Sequence, residues 1–126
     1  MKIIRLFMLP ALIIAFSMTN VYSQTGGLEK TEILKAMNSF EGLDIGADKQ
    51  EKIKETNKGI VDNIFDIANG NDSADEKMIK FKDLQKKNSS VFEDILGVDT
   101  FKQYKKNVKK KLKPYKRKAK LVGFLI

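Results

Sequence analysis

The sequence predicts an all-α protein, and three observations support this prediction. Apolar residues recur three or four positions apart along most of residues 28–120, the spacing that places them on one side of a helix. Glycines and Ser/Asp-rich segments separate these stretches where helices would end. No alternating run of β-branched residues longer than three follows residue 23. We therefore expect about four helices in an extended hairpin arrangement.

Residues 1–23 have the features of a secretory signal peptide. A positively charged start precedes an apolar run from Leu6 to Phe16, and small or aliphatic residues stand before Gln24. The run is shorter than the ~20 apolar residues that a membrane-spanning helix needs. We therefore expect cleavage before Gln24, export to the periplasm or the medium, and one mature domain formed by residues 24–126. The alternative is an uncleaved N-terminal anchor.

The chain contains no cysteine and no histidine. Without cysteine it has neither a disulfide nor a thiolate metal site, so helix packing alone must hold the exported domain. Without histidine it lacks the commonest general base and the commonest metal ligand. The carboxylates are interspersed with lysines on helix surfaces, where such acids are usually solvated. We expect no enzyme, no catalytic residue, no metal and no cofactor.

The first two helices are predicted from their apolar sides and their end signals. Residues 28–40 carry aliphatic, Met and Phe residues on one side and precede a loop with two glycines. Asp48, with Glu51 three residues later, forms a capping-box pattern. The second helix is therefore predicted from Asp48 to Asn69.

The third helix is predicted from a second capping-box pattern, Ser73 with Glu76. It should end at Gly97, because glycine is a common C-terminal stop. Polar residues around Asn88 weaken its middle and favour a bend there.

The final helix, about residues 99–120, concentrates the positive charge. Residues 100–126 contain 11 basic residues and no acid, whereas residues 24–99 contain 11 lysines and 16 acids. This polarity favours either self-pairing along the chain or attraction to an anionic partner. Thr100 with Gln103 again matches a capping box, and Pro114 is predicted to kink or break the helix around Leu112.

This helix also supplies the candidate binding residues, because its apolar stripe is surrounded by ammonium groups. The cations can recruit acidic or unfolded protein, bind anionic lipid while the apolar side inserts, or contact nucleic-acid phosphates. They can also simply keep the protein soluble. Nucleic acid is the least expected partner of an exported chain. The candidate client- or anion-binding residues are Lys102, Lys105, Lys106, Lys109, Lys110, Lys113, Lys116 and Arg117, with Phe101 and Tyr104 of the apolar stripe.

The C-terminal segment Leu121–Ile126 contains five large apolar residues. Such a chain end must pack back on the domain, mediate a dimer or enter a membrane. Packing back is the default expectation.

Two segments, Leu43–Gln50 and Leu96–Tyr104, each open a helix after a loop. They resemble the paired LTxxQ motifs of the Spy/CpxP family of periplasmic helical proteins. The second segment matches at Thr100 and Gln103, whereas the first keeps only Gln50. The resemblance covers most of the mature chain.

The resemblance to Spy/CpxP proteins implies an ATP-independent chaperone or an envelope-stress modulator. Such proteins are thin cradles of long helices, often dimeric, whose concave basic surface carries apolar side chains that hold partly folded clients. We therefore expect non-enzymatic binding of protein clients. The alternative is a peripheral envelope protein that binds anionic lipid through the basic final helix.

Overall fold

The computed structural model describes residues 28–126, so the signal peptide predicted for residues 1–23 lies outside the described part. The described chain is all-helical, as predicted, and residues 28–126 contain no strand. Its elements are α1 (Lys30–Met37), α2 (Ala47–Asn69), α3 (Ala74–Leu96), α4 (Val98–Lys116) and a C-terminal 3₁₀ helix (Lys120–Phe124).

The four α-helices form a ring of neighbours around one core. The long helices α2 and α3 pack on each other as the predicted hairpin, and α4 packs on α3. Helix α1 contacts both α2 and α4 and so closes the ring, while the 3₁₀ helix lies against α2, α3 and α4. Every helix can therefore bury its apolar stripe on its neighbours.

Aromatic side chains from α3 and α4 form the centre of the core. The ring centroid of Phe92 lies 5.5 Å from that of Phe101 and 5.5 Å from that of Tyr104. Full burial of such side chains contributes about 1.5–3 kcal/mol each. The apolar residues predicted to face the core in α2 are buried as expected, namely Ile53, Ile60, Val61, Ile64, Phe65 and Ala68.

Both ends of α3 are where the sequence placed them. The Glu76 backbone N–H donates to Ser73 Oγ (3.2 Å), and the Ser73 backbone N–H donates to a Glu76 carboxylate oxygen (3.0 Å), which confirms this capping box. Gly97 follows the last residue with φ of 79°, a conformation that favours glycine. The helix is continuous past Asn88, whose side chain is buried, so the weak polar middle does not interrupt it.

The other two predicted capping boxes are wrong. Helix α2 begins at Ala47 with Gly46 as its N-cap and no side-chain cap, so Asp48 lies inside the first turn. Buried Ile45 fixes the preceding loop, and the Gln50 side-chain amide donates to the Ile45 carbonyl oxygen (2.8 Å). The helix therefore starts one residue earlier, where Asp48 still suits the positive end of the helix dipole.

Helix α4 likewise begins before its predicted cap. A single residue, Gly97, ends α3 and serves as the N-cap of α4, so Thr100 lies within the helix and caps nothing. The helix also extends through Pro114 to Lys116, so the predicted break around Leu112 is wrong. Pro114 lies in the last turn, where few helical residues remain to be displaced, and Leu112 is held in the core.

The apolar C-terminal segment packs back on the domain, as expected by default. Its residues Leu121, Val122, Leu125 and Ile126 are all buried. The Phe124 ring stacks on Phe81 of α3, with centroids 5.2 Å apart. The Gln85 side-chain amide donates to the main-chain oxygens of Gly123 (3.3 Å) and Ile126 (2.9 Å). The segment is thus held by both packing and hydrogen bonds.

A buried polar cluster joins three of the four α-helices. The Tyr104 hydroxyl of α4 donates to the Met37 carbonyl oxygen at the end of α1 (2.6 Å) and accepts from Asn57 Nδ2 of α2 (2.9 Å). Asn57 Nδ2 also donates to Asn38 Oδ1 (2.9 Å). Burial raises the pKa of Tyr104 well above its usual value, although the hydrogen bond from Asn57 opposes the shift. The hydroxyl therefore stays protonated and remains a donor.

One lysine is buried without a carboxylate partner among residues 28–126. Lys77 is 2% exposed, and its ammonium group donates to the Ala68 carbonyl oxygen (2.9 Å) near the end of α2. A cation at this position satisfies a terminal carbonyl and offsets the negative end of the helix dipole. Lys77 therefore ties the start of α3 to the end of α2.

We expect Tyr104→Phe to lower the free energy of unfolding by about 1–3 kcal/mol, because it removes the two buried hydrogen bonds that the hydroxyl makes with the Met37 carbonyl oxygen and Asn57 Nδ2. The measurement is urea unfolding followed by circular dichroism. The control is Tyr115→Phe, which removes the same atom from a half-buried ring whose hydroxyl makes no hydrogen bond within residues 28–126. Equal effects of the two changes would show that the buried cluster contributes nothing specific.

Candidate functional site

Helix α4 has two sides of opposite character. On one side Phe101, Tyr104, Val108 and Leu112 are each at most 5% exposed and face the core. The cations occupy the remaining positions of the helix turn and project into solvent. We call this surface the basic face; its members are Lys102, Lys105, Lys106, Lys109, Lys110, Lys113, Lys116 and Arg117.

The basic face is not neutralised by the acidic part of the described chain. One ion pair joins α4 to that part, between Lys111 Nζ and a Glu41 carboxylate oxygen (3.2 Å), on the edge of α4 next to α1. None of the eight members of the basic face forms an ion pair with any of residues 28–126. Unpaired like charges on one surface sum to a positive potential that attracts anions.

Lys109 lies at the most crowded part of this face. Partial burial lowers its pKa below the ordinary lysine value, and the neighbouring cations Lys105 and Lys116 lower it further. The three side chains follow one another at spacings of four and seven residues, which places them along one row of the helix. An anion bound here would relieve repulsion among cations that are already in place.

A groove with a volume of about 490 Å³ lies between the last turns of α4 and the C-terminal segment. Its floor is apolar and is formed by Leu112, Val122 and Ile126, with Gly123 beside them. Four cations of the basic face surround it. We call it the C-terminal groove; its lining residues are Lys109, Leu112, Lys113, Lys116, Arg117, Val122, Gly123 and Ile126.

Two predicted site residues do not reach the surface. Phe101 is 5% exposed and Tyr104 is fully buried, so their expected contacts with a client are not available in this fold. Both rings pack against Phe92, and the stripe that could have gripped a client is part of the protein's own core. The exposed surface of α4 is accordingly mainly cationic, and the half-buried Tyr115 is the aromatic residue of this helix that reaches it.

The three residues that match the family motif take separate local roles. The Gln50 side chain bonds to the Ile45 carbonyl at the start of α2, whereas Thr100 and Gln103 lie in the first turns of α4. No hydrogen bond joins these residues within the described chain. The motif positions therefore mark helix starts in the structure.

Sequence reasoning missed one wall of the C-terminal groove. The wall contains Val122, Gly123 and Ile126. The sequence marks them only as part of an apolar segment, because it does not show where that segment packs. The available signal was Gly123, a residue without a side chain inside an otherwise bulky apolar segment. Such a glycine often marks a place where another group approaches closely.

The described residues show no arrangement for two other kinds of site. No group of three or more acidic side chains in residues 28–126 is placed to hold a metal ion. Among the helices of the same residues, none has the length and apolar character needed to cross a membrane.

Comparisons with protein-family profiles, with curated protein sequences and with solved structures returned no match for this chain.

We expect Lys109 to react with an amine-selective ester faster than a lysine in a short unstructured peptide at the same pH, because a lowered pKa leaves more of the amine neutral and nucleophilic. Lys105→Gln should slow the labelling of Lys109, since it removes a cation that lowers this pKa. Lys58→Gln on α2 is the control and should leave the rate unchanged. Peptide mass spectrometry after brief labelling measures the rate at Lys109 in the unchanged protein and in the two variants. An equal rate in the unchanged and the Lys105→Gln proteins would contradict the expectation.

Proposed function

We propose that this protein is an exported, non-enzymatic binding protein that holds acidic or partly folded protein clients on the basic face. The observation that carries the proposal is the basic face, whose eight cations have no ion-pair partner among residues 28–126. Seven of the eight are exposed and Lys105 is half-buried. Their charge attracts acidic segments before contact, over roughly the Debye length of about 8 Å at physiological salt.

Lysine side chains suit a variable client. An ammonium group on a flexible stem does not require the fixed geometry that a guanidinium fork imposes, so it accepts carboxylates in many orientations. The four-carbon stems also cover apolar surface while their heads stay in water. The basic face can therefore give an unfolded chain weak apolar contact although the aromatic rings beneath it are buried.

The resemblance to Spy/CpxP proteins, which rests on Gln50, Thr100 and Gln103, also supports this proposal. A cradle of that family holds clients with exposed apolar side chains as well as with charge. Here the apolar stripe of α4 lies in the core, so the proposed binding is chiefly electrostatic. We further propose that a second copy could complete a concave surface, as the dimers of that family do.

Lipid insertion has less support than protein binding. Insertion requires the apolar stripe of α4 to enter the bilayer, but that stripe must first leave the core, at about 1.5–3 kcal/mol for each large side chain exposed. A membrane role would therefore be limited to adsorption by charge. Nucleic acid is not proposed, because lysines without aromatic platforms give little base recognition.

The test is the suppression of aggregation of two unfolded proteins, one acidic and one basic, by the purified protein. The chain is expressed from its full-length sequence, and the N-terminus of the purified form is determined by mass spectrometry. We expect suppression of the acidic client only, with loss of the effect as salt concentration rises. Equal suppression of both clients would contradict the proposal.

We expect the change of Lys105, Lys106, Lys109 and Lys110 to Gln to weaken client binding by roughly tenfold, since an exposed ion pair contributes about 0.2–1 kcal/mol. Helicity should be unchanged, because Lys106, Lys109 and Lys110 are exposed and Gln at position 105 keeps most of the half-buried Lys105 stem. The matched control changes Lys35, Lys49, Lys52 and Lys58 to Gln, which removes the same charge from α1 and α2. Binding affinity is measured by fluorescence anisotropy of a labelled acidic unfolded chain.

Two outcomes would reject the assignment. Equal losses in the two quadruple variants would show that only net charge matters and that the basic face is not a site. Salt-sensitive sedimentation with anionic vesicles, without any suppression of aggregation, would favour the membrane alternative instead.

A further inference from the structure

The C-terminal groove combines two surfaces that the rest of α4 keeps apart. Along most of the helix the apolar side is covered and the cations face solvent. At the groove the apolar residues Leu112, Val122 and Ile126 form a floor, and cations stand around its edge. A ligand lying there would contact both surfaces at once.

The groove has a fixed shape because its far wall is anchored. Gln85 bonds the main-chain oxygens of Gly123 and Ile126, and the stacked ring of Phe124 holds the segment on α3. The floor residues are each at most 4% exposed, so they belong to the core, and most of the exposed apolar surface of the groove comes from the methylene stems of the lining cations above them. Such preformed, mainly apolar concavities with a few polar groups are typical of small-molecule sites.

Gly123 keeps the groove open on the side of Lys116. A Cβ atom added at Gly123 would lie 3.3 Å from Lys116 Cε, which is tighter than ordinary contact. A larger side chain would push the Lys116 stem aside and fill part of the groove. A side chain at position 123 would therefore compete with the end of Lys116 for the space of the groove.

The charge of the edge specifies the ligand's head group. Lys109, Lys113, Lys116 and Arg117 converge on the groove, and none of them has an ion-pair partner within residues 28–126. The lowered pKa of Lys109 fits this crowding of cations. A ligand with a negative head group would be held by charge-assisted contacts that no described residue supplies.

The apolar lining and the volume of the groove indicate what the ligand carries besides its anionic head group. A purely polar anion such as inorganic phosphate would leave the apolar floor unused, whereas a neutral alkane would leave the cations unpaired. A volume of about 490 Å³ falls within the range of roughly 300–1,000 Å³ found for small-molecule sites. This fits a single alkyl chain with one anionic head better than a protein segment with its own secondary structure.

We propose that the C-terminal groove binds a free single-chain amphiphile with an anionic head group, of the fatty-acid class. The alkyl chain lies above Leu112, Val122 and Ile126, against the methylene stems of the lining cations, and the carboxylate is held by the head groups of Lys113, Lys116 and Arg117 at the edge. Its four cations, Lys109, Lys113, Lys116 and Arg117, also belong to the basic face, so the groove and a bound client would share them. Gly123 lies outside the basic face, and its substitution therefore distinguishes the two proposals.

The experiment is isothermal titration of the purified protein with octanoate and decanoate, each below the concentration at which it forms micelles. Affinity should rise by up to about fourfold for each added methylene that leaves water. Acetate, which has the head group alone, and decanol, which has the chain alone, should bind at least about tenfold more weakly than decanoate, since each forfeits one of the two contacts.

Two variants and a control locate the site. Changing Lys113, Lys116 and Arg117 to Gln should weaken decanoate binding by about tenfold or more, and Gly123→Val should weaken it by narrowing the groove without removing any charge. The control changes Lys102, Lys106 and Lys110 to Gln, which removes the same charge from positions of α4 outside the groove, and should leave binding unchanged. Circular dichroism confirms that each protein is folded.

The proposal is overturned if affinity does not depend on chain length, or if the control triple variant loses as much affinity as the groove triple variant. It is also overturned if binding is seen only with anionic phospholipid vesicles and not with free decanoate, because the ligand would then be a membrane surface. Loss of decanoate binding in the Gly123→Val protein with client binding intact would separate this site from the basic face.

Discussion

The burial of Tyr104 is the constraint on which the rest of this structure depends. Its ring packs on Phe92 in the core, and its hydroxyl bonds the end of α1 and Asn57 of α2. One side chain of α4 is thereby tied to the three other helices. Because the hydroxyl has defined partners, α4 is held at one rotation about its axis, and that rotation turns the cations outward. The basic face is a consequence of this arrangement.

A helix of this composition would be expected to lie in a membrane interface if it were isolated, because its apolar and cationic sides are well separated. In this fold the apolar side serves the core, so only the charge remains for recognition. The C-terminal groove is the exception, since the chain turns back after α4 and brings apolar residues beside the cations again. The two binding functions proposed above would therefore occupy neighbouring parts of one helix.

The uneven charge along the sequence is largely preserved in the folded molecule. Residues 24–99 carry 11 lysines and 16 acids, and the following residues carry only cations, yet Lys111 and Glu41 form the single ion pair between α4 and the acidic part within residues 28–126. Self-pairing, one of the two explanations of the asymmetry, thus accounts for little of it. An exposed pair also contributes little stability, so most of the positive charge of α4 stays unpaired within the described residues.

The sequence by itself determined the all-helical class, the apolar stripes, the Ser73 cap and the position of the charge, because each follows from local spacing or from a short-range hydrogen bond. It did not determine the starts of α2 and α4, where glycines and packing override cap-like patterns, or the passage of α4 through Pro114. Other features depend on contacts between residues far apart in the chain. They are the burial of Lys77, the hydrogen bonds of Tyr104 and the packing of the C-terminal segment against α3 and α4. Only the tertiary structure decided these features, because local sequence patterns do not specify which distant backbone oxygen or apolar surface a side chain will meet.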